Sequence, residues 1–348
     1  MLFVSLRDLQ WRRRRFLIGV LATGLVFALA LLITGISAAF HNEVIRSVNA
    51  FGADEWVVSA RATGPFTTPV FFPQSAAGQI AQTNPGVQTA PVVILRSTVH
   101  TTRLRDLNVI GVAPGGVGWP KVHDGRLPRA SGEMLVDHSL GVALGSSLSL
   151  GGTRFTVVGR TDGVSYFAGT PVAIISIGDA QRLALGDQPL ASAIIVHGTA
   201  RALPAGLRAV SNAAAITDLR RPLKSATGTI DILRVLLWLV AGGIIGSVLY
   251  LQAIERTRDF AVFKATGVSS RSVVAGLALQ AIFLAMLSAA VAILFAFVLT
   301  PTMPMRVDMA GSTYVVLVVV AIAVGLLASV SGLRRALSVD PALAFGGA

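Results

Sequence analysis

The sequence predicts an α-helical membrane protein with four transmembrane helices and an α+β extracytoplasmic domain between helices 1 and 2. Two features predict this fold class. Charged residues make up 13% of the 348 residues and hydrophobic residues 53%, whereas soluble domains carry about 25% charged residues. The apolar residues also gather in four runs long enough to cross the ~30 Å hydrocarbon core of a bilayer, and a long segment punctuated by glycine and proline separates the first two runs.

The positions of the charges define the four predicted membrane segments. Transmembrane helix 1 is expected at residues 16–40, helix 2 at 229–254, helix 3 at 272–300 and helix 4 at 313–333. The first apolar run is longer than the ~7–15 residues of a signal-peptide core. We therefore expect helix 1 to be retained in the mature protein rather than cleaved as a signal peptide.

Basic residues in the short segments predict the orientation, because Lys and Arg favour the cytoplasmic side. Arginines cluster before helix 1 and again after helix 4, and the loop between helices 2 and 3 is also basic. These segments share one side only if both termini are cytoplasmic. We therefore expect a multi-pass protein of the bacterial inner (plasma) membrane, with a cytoplasmic loop at 255–271, a short outer loop at 301–312 and a cytoplasmic tail at 334–348.

Residues 1–15 mix apolar side chains with arginines. This pattern indicates an amphipathic helix in the cytoplasmic membrane interface, and the alternative is a frayed cytoplasmic tail. The net charge of +12 could in principle indicate nucleic-acid binding. An arginine cluster directly before an apolar run is instead typical of a topology determinant, so we expect membrane lipid, and no nucleic acid, as a partner.

Residues 41–228 are the predicted extracytoplasmic domain. Apolar and β-branched runs predict strands at 56–58, 91–98, 107–112, 133–136, 154–158, 172–177 and 192–196. Short helices are expected at 75–82, 139–144 and 179–185. This mixture of elements indicates an α+β domain. The proline- and phenylalanine-rich segment Gly64–Pro73 is expected to form an exposed loop or a flap.

The sequence shows no arrangement expected of an enzyme. Its five histidines lack metal-ligand spacing, and the absence of cysteine excludes disulfides and thiol catalysis. Asp137, His138 and Ser139 are adjacent, whereas a catalytic triad is a spatial arrangement, so Ser139 is expected to cap a helix instead. Without a G-x-x-x-x-G-K-[ST] motif the chain cannot bind ATP as a P-loop protein. We expect a non-catalytic chain with no cofactor or metal of its own.

Helix 2 contains Gly242 and Gly246, which form a G-x-x-x-G motif. Such a motif permits close approach of two helices. It predicts a dimer seam between two copies of the chain, and packing within one subunit is the alternative. At the outer end of the same helix, Asp231 and Arg234 are spaced i,i+3 and are expected to form an ion pair.

The loop after helix 2 carries the most informative pattern, ERTRDFAVFKATGVSSRSVVAGLALQ. Glu255–Thr266 is expected to form a short polar helix that ends at Gly267, because glycine accepts the left-handed conformation of a helix C-terminus. Ser269 or Ser270 then caps the next helix, which runs into the third span. Phenylalanines among charged residues indicate either a docking surface for a partner or an ordinary interfacial loop.

This loop resembles the cytoplasmic loop of the FtsX/MacB/LolC-like permeases, the type VII ABC transporters. The family pattern is matched in order by Glu255-Arg256, Asp259-Phe260 and Lys264-Ala265-Thr266-Gly267. The layout of one span, a large domain and three clustered spans is similar to that of the family as well. Two further segments resemble those of the family. One is GEMLVDHSLGVALGSSLSLGGTRFTVVGRTD, in which Gly159 is expected to end a strand, and the other is the C-terminal LRRALSVDPALAF. Gln280 stands where many members have glutamate, which places the chain nearer the DevC-like exporter branch.

The resemblance implies a permease subunit of an ABC transporter, with ATP bound by separate cytoplasmic ABC ATPase subunits. The coupling helix would contact the ATPase through Glu255, Arg256, Arg258, Asp259, Phe260, Phe263, Lys264 and Gly267. ATP hydrolysis would then move the extracytoplasmic domain to export or extrude a hydrophobic or amphipathic compound. The resemblance also implies a second permease copy, in a homodimer, or a related permease.

Three other functions stay open at this stage. A mechanotransmitting regulator of a cell-wall hydrolase would use an extracytoplasmic partner instead of a cargo. The second alternative is a membrane sensor with no transport role. An amino-acid importer subunit is suggested by residues 261–267, which loosely resemble an importer coupling loop. The sequence does not identify the cargo.

Overall fold

The computed structural model describes residues 13–101, 103–167, 169–255, 262, 269–303 and 307–337. The chain divides into two compact units. We call residues 39–225 the inserted domain, and we call residues 1–38 together with 226–348 the membrane unit. Most of the amphipathic helix expected at residues 1–15 lies outside the described residues, which begin at Arg13.

Seven α-helices lie within the described part of the chain. They are α1 (Arg13–Asn49), α2 (Ala76–Thr83), α3 (Ile177–Leu185), α4 (Asn212–Arg220), α5 (Lys224–Glu255), α6 (Ser270–Leu299) and α7 (Gly311–Leu337). Among the described residues, α1, α5, α6 and α7 are long and apolar enough to cross a membrane. Four candidate transmembrane helices, with a folded domain between the first two, confirm the predicted fold class.

The first helix is longer than its predicted span. It continues without a break to Asn49, whereas the uncharged run ends at residue 40. Beyond that point Val44 and Val48 are fully buried while their neighbours Asn42 and Arg46 are more exposed. Apolar residues at i and i+4 give the added turns one core-facing stripe. The helix therefore changes from an apolar segment to an amphipathic one.

The inserted domain is built on a mixed sheet. Its strands are β1 (Glu55–Ser59), β2 (Phe72–Pro73), β3 (Gln88–His100), β4 (Leu104–Val112), β5 (Asp124–Gly125), β6 (Glu133–Asp137), β7 (Ser147–Leu150), β8 (Thr153–Thr161), β9 (Ser165–Tyr166), β10 (Thr170–Ser176), β11 (Leu190–Ala191), β12 (Ala193–His197) and β13 (Leu207–Ser211). The main sheet has the order β13-β1-β12-β3-β4-β10-β6-β8-β5, and β2 pairs separately with β11. The pairs β4–β10 and β6–β8 are parallel. Each predicted strand overlaps an observed one.

Both faces of the central strands are covered, which explains their nearly continuous apolar sequences. On one face, Ile94, Ile110 and Ile174 pack in a core that includes Val44 and Val48 of α1. The opposite face of the same strands packs in a second core that includes α3. The α+β character predicted from the sequence is therefore confirmed, with strands and helices in separate layers.

The helix predicted at residues 139–144 is wrong. Only a single 3-10 turn forms, at His138–Leu140, and Gly141 ends it in the left-handed conformation with φ of 73°. The prediction that Ser139 caps this helix is also wrong, because Asp137 is the capping residue. Its carboxylate accepts a hydrogen bond from the Ser139 backbone N–H at 3.0 Å.

Gly159 does not end its strand, contrary to the sequence-based expectation. It lies inside β8, next to a shift in the pairing register with β6. A Cβ atom at this position would lie 2.3 Å from the carbonyl oxygen of Arg126. The glycine is therefore explained by the close approach of a neighbouring backbone rather than by a strand end.

The expectation that Gly64–Pro73 forms an exposed loop or flap is wrong for part of the segment. Phe66 and Phe72 are both buried, and the side chain of Asp218 at the end of α4 anchors the loop. The Asp218 carboxylate accepts hydrogen bonds from the backbone N–H of Phe66 at 2.9 Å and of Thr67 at 3.1 Å. The loop is therefore tied to the core by a distant carboxylate.

The membrane unit packs through small residues. A Cβ atom on Gly24 of α1 would lie 2.7 Å from Cγ1 of Val291 on α6. On α7, a Cβ atom at Gly325 would lie 3.1 Å from the carbonyl oxygen of Ala281. Small residues at such positions allow the close backbone approach that favours helix association in lipid. The interior of this unit is accordingly rich in buried alanine.

Candidate functional site

The candidate site is the connection between α5 and α6, where the sequence predicts the coupling loop. Helix α5 ends at Glu255, whose side chain is exposed. Helix α6 begins at Ser270 and is capped by Ser269, whose hydroxyl accepts a hydrogen bond from the Ser272 backbone N–H at 3.3 Å. Of the two serines proposed as the cap, Ser269 is therefore confirmed.

Most of the predicted contact residues lie outside the described residues. These are Arg256, Arg258, Asp259, Phe260, Phe263, Lys264 and Gly267. Within the connection the structure describes Val262, which is helical and 48% exposed. The roles assigned to Glu255 and to the other residues of the coupling helix therefore stay predictions.

The two ends of the connection are fixed to the membrane unit. On α5, Leu249 and Ala253 are buried one turn apart near the last residue of the helix. On α6, Leu277 and Ala281 are buried in the same way. Because buried side chains anchor both helices, a force applied to the connection would act on helices that are packed rather than free.

The expected ion pair at the other end of α5 is confirmed. The Arg234 guanidinium lies 3.0 Å from the Asp231 carboxylate, and the two side chains are 35% and 58% exposed. Exposed pairs at this spacing contribute only about 0.3–0.5 kcal/mol. The pair therefore satisfies two charges at the edge of a span and does not indicate a binding site.

Two buried hydroxyls in the membrane unit were not identified by the sequence analysis. Thr23 of α1 and Ser288 of α6 are fully buried. Neither hydroxyl oxygen has a hydrogen-bond partner within the described residues. Small polar residues are common in transmembrane helices, so nothing in the sequence distinguished these two from other serines and threonines of the spans.

The structure of a single chain shows the surroundings of Gly242, one of the two glycines of the predicted dimer seam. A Cβ atom on Gly242 would lie 3.2 Å from Cγ1 of Val324 on α7, so this glycine faces a helix of its own subunit. Gly243, one position further, is exposed with open space around it. The seam through Gly242 and Gly246 therefore stays a prediction, alongside packing within the subunit.

Replacing Gly246 with leucine is expected to lower the yield of cross-linked dimer in detergent, because the larger side chain would separate the two copies of α5. Cysteines introduced on α5 and oxidised in the purified protein would measure that yield. Gly228→Leu is the matched control, since it adds the same side chain to α5 at an exposed position with open space around it, about 27 Å along the helix from Gly246. An unchanged dimer yield in folded Gly246→Leu protein would exclude the seam.

The inserted domain contains a strong ion pair that has a structural role. Glu133 accepts hydrogen bonds from the Arg126 guanidinium at 2.8 Å and from the Arg129 backbone N–H at 2.8 Å. The hydrogen bond from Arg126, followed by that from Arg129, lowers the pKa of Glu133 to about 2. A general acid or base works best with a pKa near the operating pH. This carboxylate instead stays ionised and fixes the loop before β6.

The tripeptide Asp137-His138-Ser139 has no catalytic geometry. Besides capping the 3-10 turn, the buried Asp137 carboxylate accepts a hydrogen bond from the Val164 backbone N–H at 2.8 Å. It also accepts one from the Thr161 hydroxyl at 3.3 Å. These bonds hold two loops together. Among the described residues, no three His, Cys, Asp or Glu side chains lie close enough together to hold a metal ion.

Comparison with known sequences gives relatives that match the whole chain. A family model described as "FtsX-like permease C-terminal" matches residues 232–341. The chain is 44% identical over 348 residues to an uncharacterized ABC transporter permease of Mycobacterium tuberculosis, covering 100% of both chains. It is 42% identical over 349 residues to another such permease of that organism, again covering 100% of both. A putative hemin transport system permease protein, HrtB of Staphylococcus epidermidis, is 23% identical over 136 residues, or 38% of each chain.

Two solved structures are similar in part. The extracellular domain of the noncanonical ABC-type transporter YknZ from Gram-positive bacteria matches with a TM-score of 0.32 and 13% identity, covering 42% of this chain and 83% of that one. The periplasmic region of MacB from Actinobacillus actinomycetemcomitans matches with a TM-score of 0.35 and 14% identity. That match covers 53% of this chain and 89% of the MacB region.

Proposed function

This chain belongs to the family of FtsX-like ABC transporter permeases, and we propose that it couples ATP hydrolysis by separate ABC ATPase subunits to movement of its inserted domain. The chain works as one of two permeases, in a homodimer or with a related permease. The coupling helix after α5 docks on the ATPase. ATP is bound and hydrolysed in the partner chain, and the permease performs no chemistry itself.

The observation that carries this proposal is the continuity of α1. This helix contributes Phe27 and Leu31 to the core of the membrane unit and Val44 and Val48 to the core of the inserted domain. Hydrogen bonds run along the whole helix, so the two sets of buried side chains belong to one stiff element. A displacement of α1 among the membrane helices would therefore be transmitted to the inserted domain.

The proposed orientation follows from the charges of the short segments. Both termini and the coupling loop lie in the cytoplasm of a bacterial cell, and the inserted domain lies outside the inner membrane. The arginines before the first span and after the fourth support this arrangement, because basic residues favour the cytoplasmic side. The same arrangement places the coupling helix on the side where ATP is available.

The proposed cargo is a hydrophobic or amphipathic compound that is exported or extruded. The partial relative HrtB is named for transport of hemin, which is itself an amphipathic molecule. The described parts of the four spans also hold few charges, with Asp231 and Arg234 paired at the end of one of them. A cargo handled from the membrane does not need a charged path through it.

Co-purification with an ABC ATPase encoded beside its gene tests this proposal. The complex should be isolated in detergent and should hydrolyse ATP faster than the ATPase alone. Deletion of the gene should reduce tolerance to added amphipathic compounds. Failure of any ATPase to associate would contradict the proposal. If the deletion strain grows as chains of unseparated cells and its tolerance to amphipathic compounds is unchanged, the protein is instead a regulator of a cell-wall hydrolase.

A further inference from the structure

The inserted domain contains a cleft that the coupling function does not use. It has a volume of about 750 Å³, and all of its lining residues belong to this one domain. The side chains that matter are those of Arg96, Asp106, Asn108, Phe167, Thr170 and Leu223. Two of them are oppositely charged, two are polar and two are apolar. A cleft of this size is comparable to the ligand sites of known proteins, about 300–1,000 Å³.

The strand register brings the polar residues together. Arg96 on β3 pairs directly with Asn108 on β4, and Asp106 on β4 pairs with Thr98. Directly opposed residues lie on the same face of a sheet, and alternate residues of one strand share that face. Arg96 and Asn108 therefore continue the face on which Ile94 and Ile110 form the core. The core face becomes polar at this end of the sheet.

Asn108 is buried and unsatisfied. It is 3% exposed, and its Nδ2 atom has no hydrogen-bond partner within the described residues. Buried polar side chains in native proteins almost always have a partner. Asn108 lines the cleft, so a small rotation of its side chain would present this amide to an acceptor on a ligand in the cleft.

The two charged side chains of the cleft also lack an ion-pair partner among the described residues. No ion pair or side-chain hydrogen bond joins either Arg96 or Asp106 to another described side chain. The Arg96 guanidinium instead lies 4.3 Å from the centre of the Phe167 ring. A guanidinium held over a ring is still able to donate hydrogen bonds from its N–H groups to an anion.

Phe167 is held in a conformation that a bulky residue rarely adopts, with φ of 49°. The buried Glu43 of α1 holds the segment around it. Its carboxylate accepts hydrogen bonds from the Ser165 hydroxyl at 2.6 Å and the Gly169 backbone N–H at 2.7 Å. Backbone strain of this kind is concentrated at functional sites, where the surrounding structure maintains it. Here it places an aromatic ring at the cleft and under Arg96.

We propose that this cleft binds a zwitterionic group, an anionic phosphate or carboxylate close to an ammonium, on a molecule that also has an apolar part. The anion binds Arg96 and the Asn108 amide, and the ammonium binds Asp106. A ligand with a single charge would meet one attractive and one repulsive side chain. Phe167 and Leu223 provide apolar walls for the rest of the molecule. This molecule is also the exported cargo, and that part of the inference rests on the proposed function. The binding itself does not depend on it.

Calorimetry on the full-length protein in dodecyl maltoside, an uncharged detergent, tests the proposal. The probes are phosphoethanolamine, which is soluble, and lysophosphatidylethanolamine, which carries the same group on an acyl chain. We expect saturable binding, and we expect Arg96→Gln and Asp106→Asn each to weaken it about tenfold or more, since each variant removes a hydrogen bond between charged groups. Arg154→Gln, an exposed arginine on β8 outside the cleft, is the control and should bind as the wild type does.

The probes also distinguish the sources of the ligand. Binding of both probes supports the proposal and shows that the zwitterion suffices, and binding of the lysolipid alone supports it with a membrane lipid as the source. Absence of saturable binding by either probe would overturn it. So would wild-type affinity in both cleft variants, or equal affinity for glycerol phosphate, which lacks the ammonium.

If Arg96→Gln fails to fold by gel filtration, Arg96→Lys replaces it, because lysine keeps the charge and loses the planar fork. ATPase assembly is measured separately, so failure of the coupling function would not be mistaken for failure of this site.

Discussion

Changing Phe260 and Phe263 together to aspartate is expected to abolish co-purification of the ABC ATPase or to reduce the stimulated hydrolysis about tenfold or more. Aromatic side chains in the centre of an interface commonly contribute 2 kcal/mol or more each. Spaced i,i+3 on the predicted coupling helix, the two rings share one face. Aspartate would place two carboxylates against the ATPase groove without a partner, which is costly in a desolvated interface.

The control for this variant lies on the same segment. Val262→Asp adds one carboxylate at an exposed position that is turned away from Phe260 on a helix of ~3.6 residues per turn. Because Val262 lies off the face that Phe260 and Phe263 share on the predicted coupling helix, this variant should leave association and ATP hydrolysis close to wild type. Wild-type assembly and turnover of the double variant would contradict the assignment of the coupling helix and would reopen the sensor hypothesis.

Replacing Asp218 with alanine is expected to destabilise the inserted domain strongly. The carboxylate is 1% exposed and accepts bonds from the Thr63 and Thr67 hydroxyls in addition to the two backbone N–H groups of Phe66 and Thr67. Alanine would leave buried donors unsatisfied, at roughly 2–5 kcal/mol in total. In a domain of this size such a loss corresponds to a fall in melting temperature of roughly 5–15 °C.

Thermal unfolding of the purified protein, followed by far-ultraviolet circular dichroism, measures this effect. Asp106→Ala, which removes an exposed carboxylate, is the control and should change the melting temperature little. Asp218→Asn should recover part of the loss, because it keeps one acceptor oxygen. An unchanged melting temperature for Asp218→Ala would show that the loop before β2 is not anchored as described.

The predictable parts of this fold are those with a local physical cause. Long apolar runs with few charges predicted the four spans, and dense β-branched runs predicted the central strands, including β4 and β10. Strand β13 and helix α4 were missed because few of their residues are buried. In Leu207–Ser211 only Val210 is fully buried, so the strand lacks a clear apolar pattern. Asp218 could not be predicted either, because its partners are some 150 residues away in the chain.

The sites were likewise predictable where they depend on residues close in sequence, and were not predictable where they depend on residues far apart in sequence. The Ser269 cap was predicted because a cap depends on residues within one helical turn. The cleft was not predicted, since Arg96 and Asn108 become neighbours only through the pairing of β3 with β4. In the sequence each is a polar residue within a strand, and in a sheet with one face open to water such residues lie on the solvated face. A side chain without a partner becomes informative only once its neighbours are known.

The unbroken course of α1 makes its length a functional quantity. Adding or removing one residue between Leu31 and Val44 would turn the later part of the helix by about 100° and shift it by ~1.5 Å. Phe27 and Leu31 would keep their places in the membrane unit, and Val44 and Val48 would turn with the helix, together with the core that packs on them. Substitutions that keep the helix intact preserve this phase, whatever their side chains. Homologues of this chain should therefore vary in sequence along the stretch while conserving the number of residues in it.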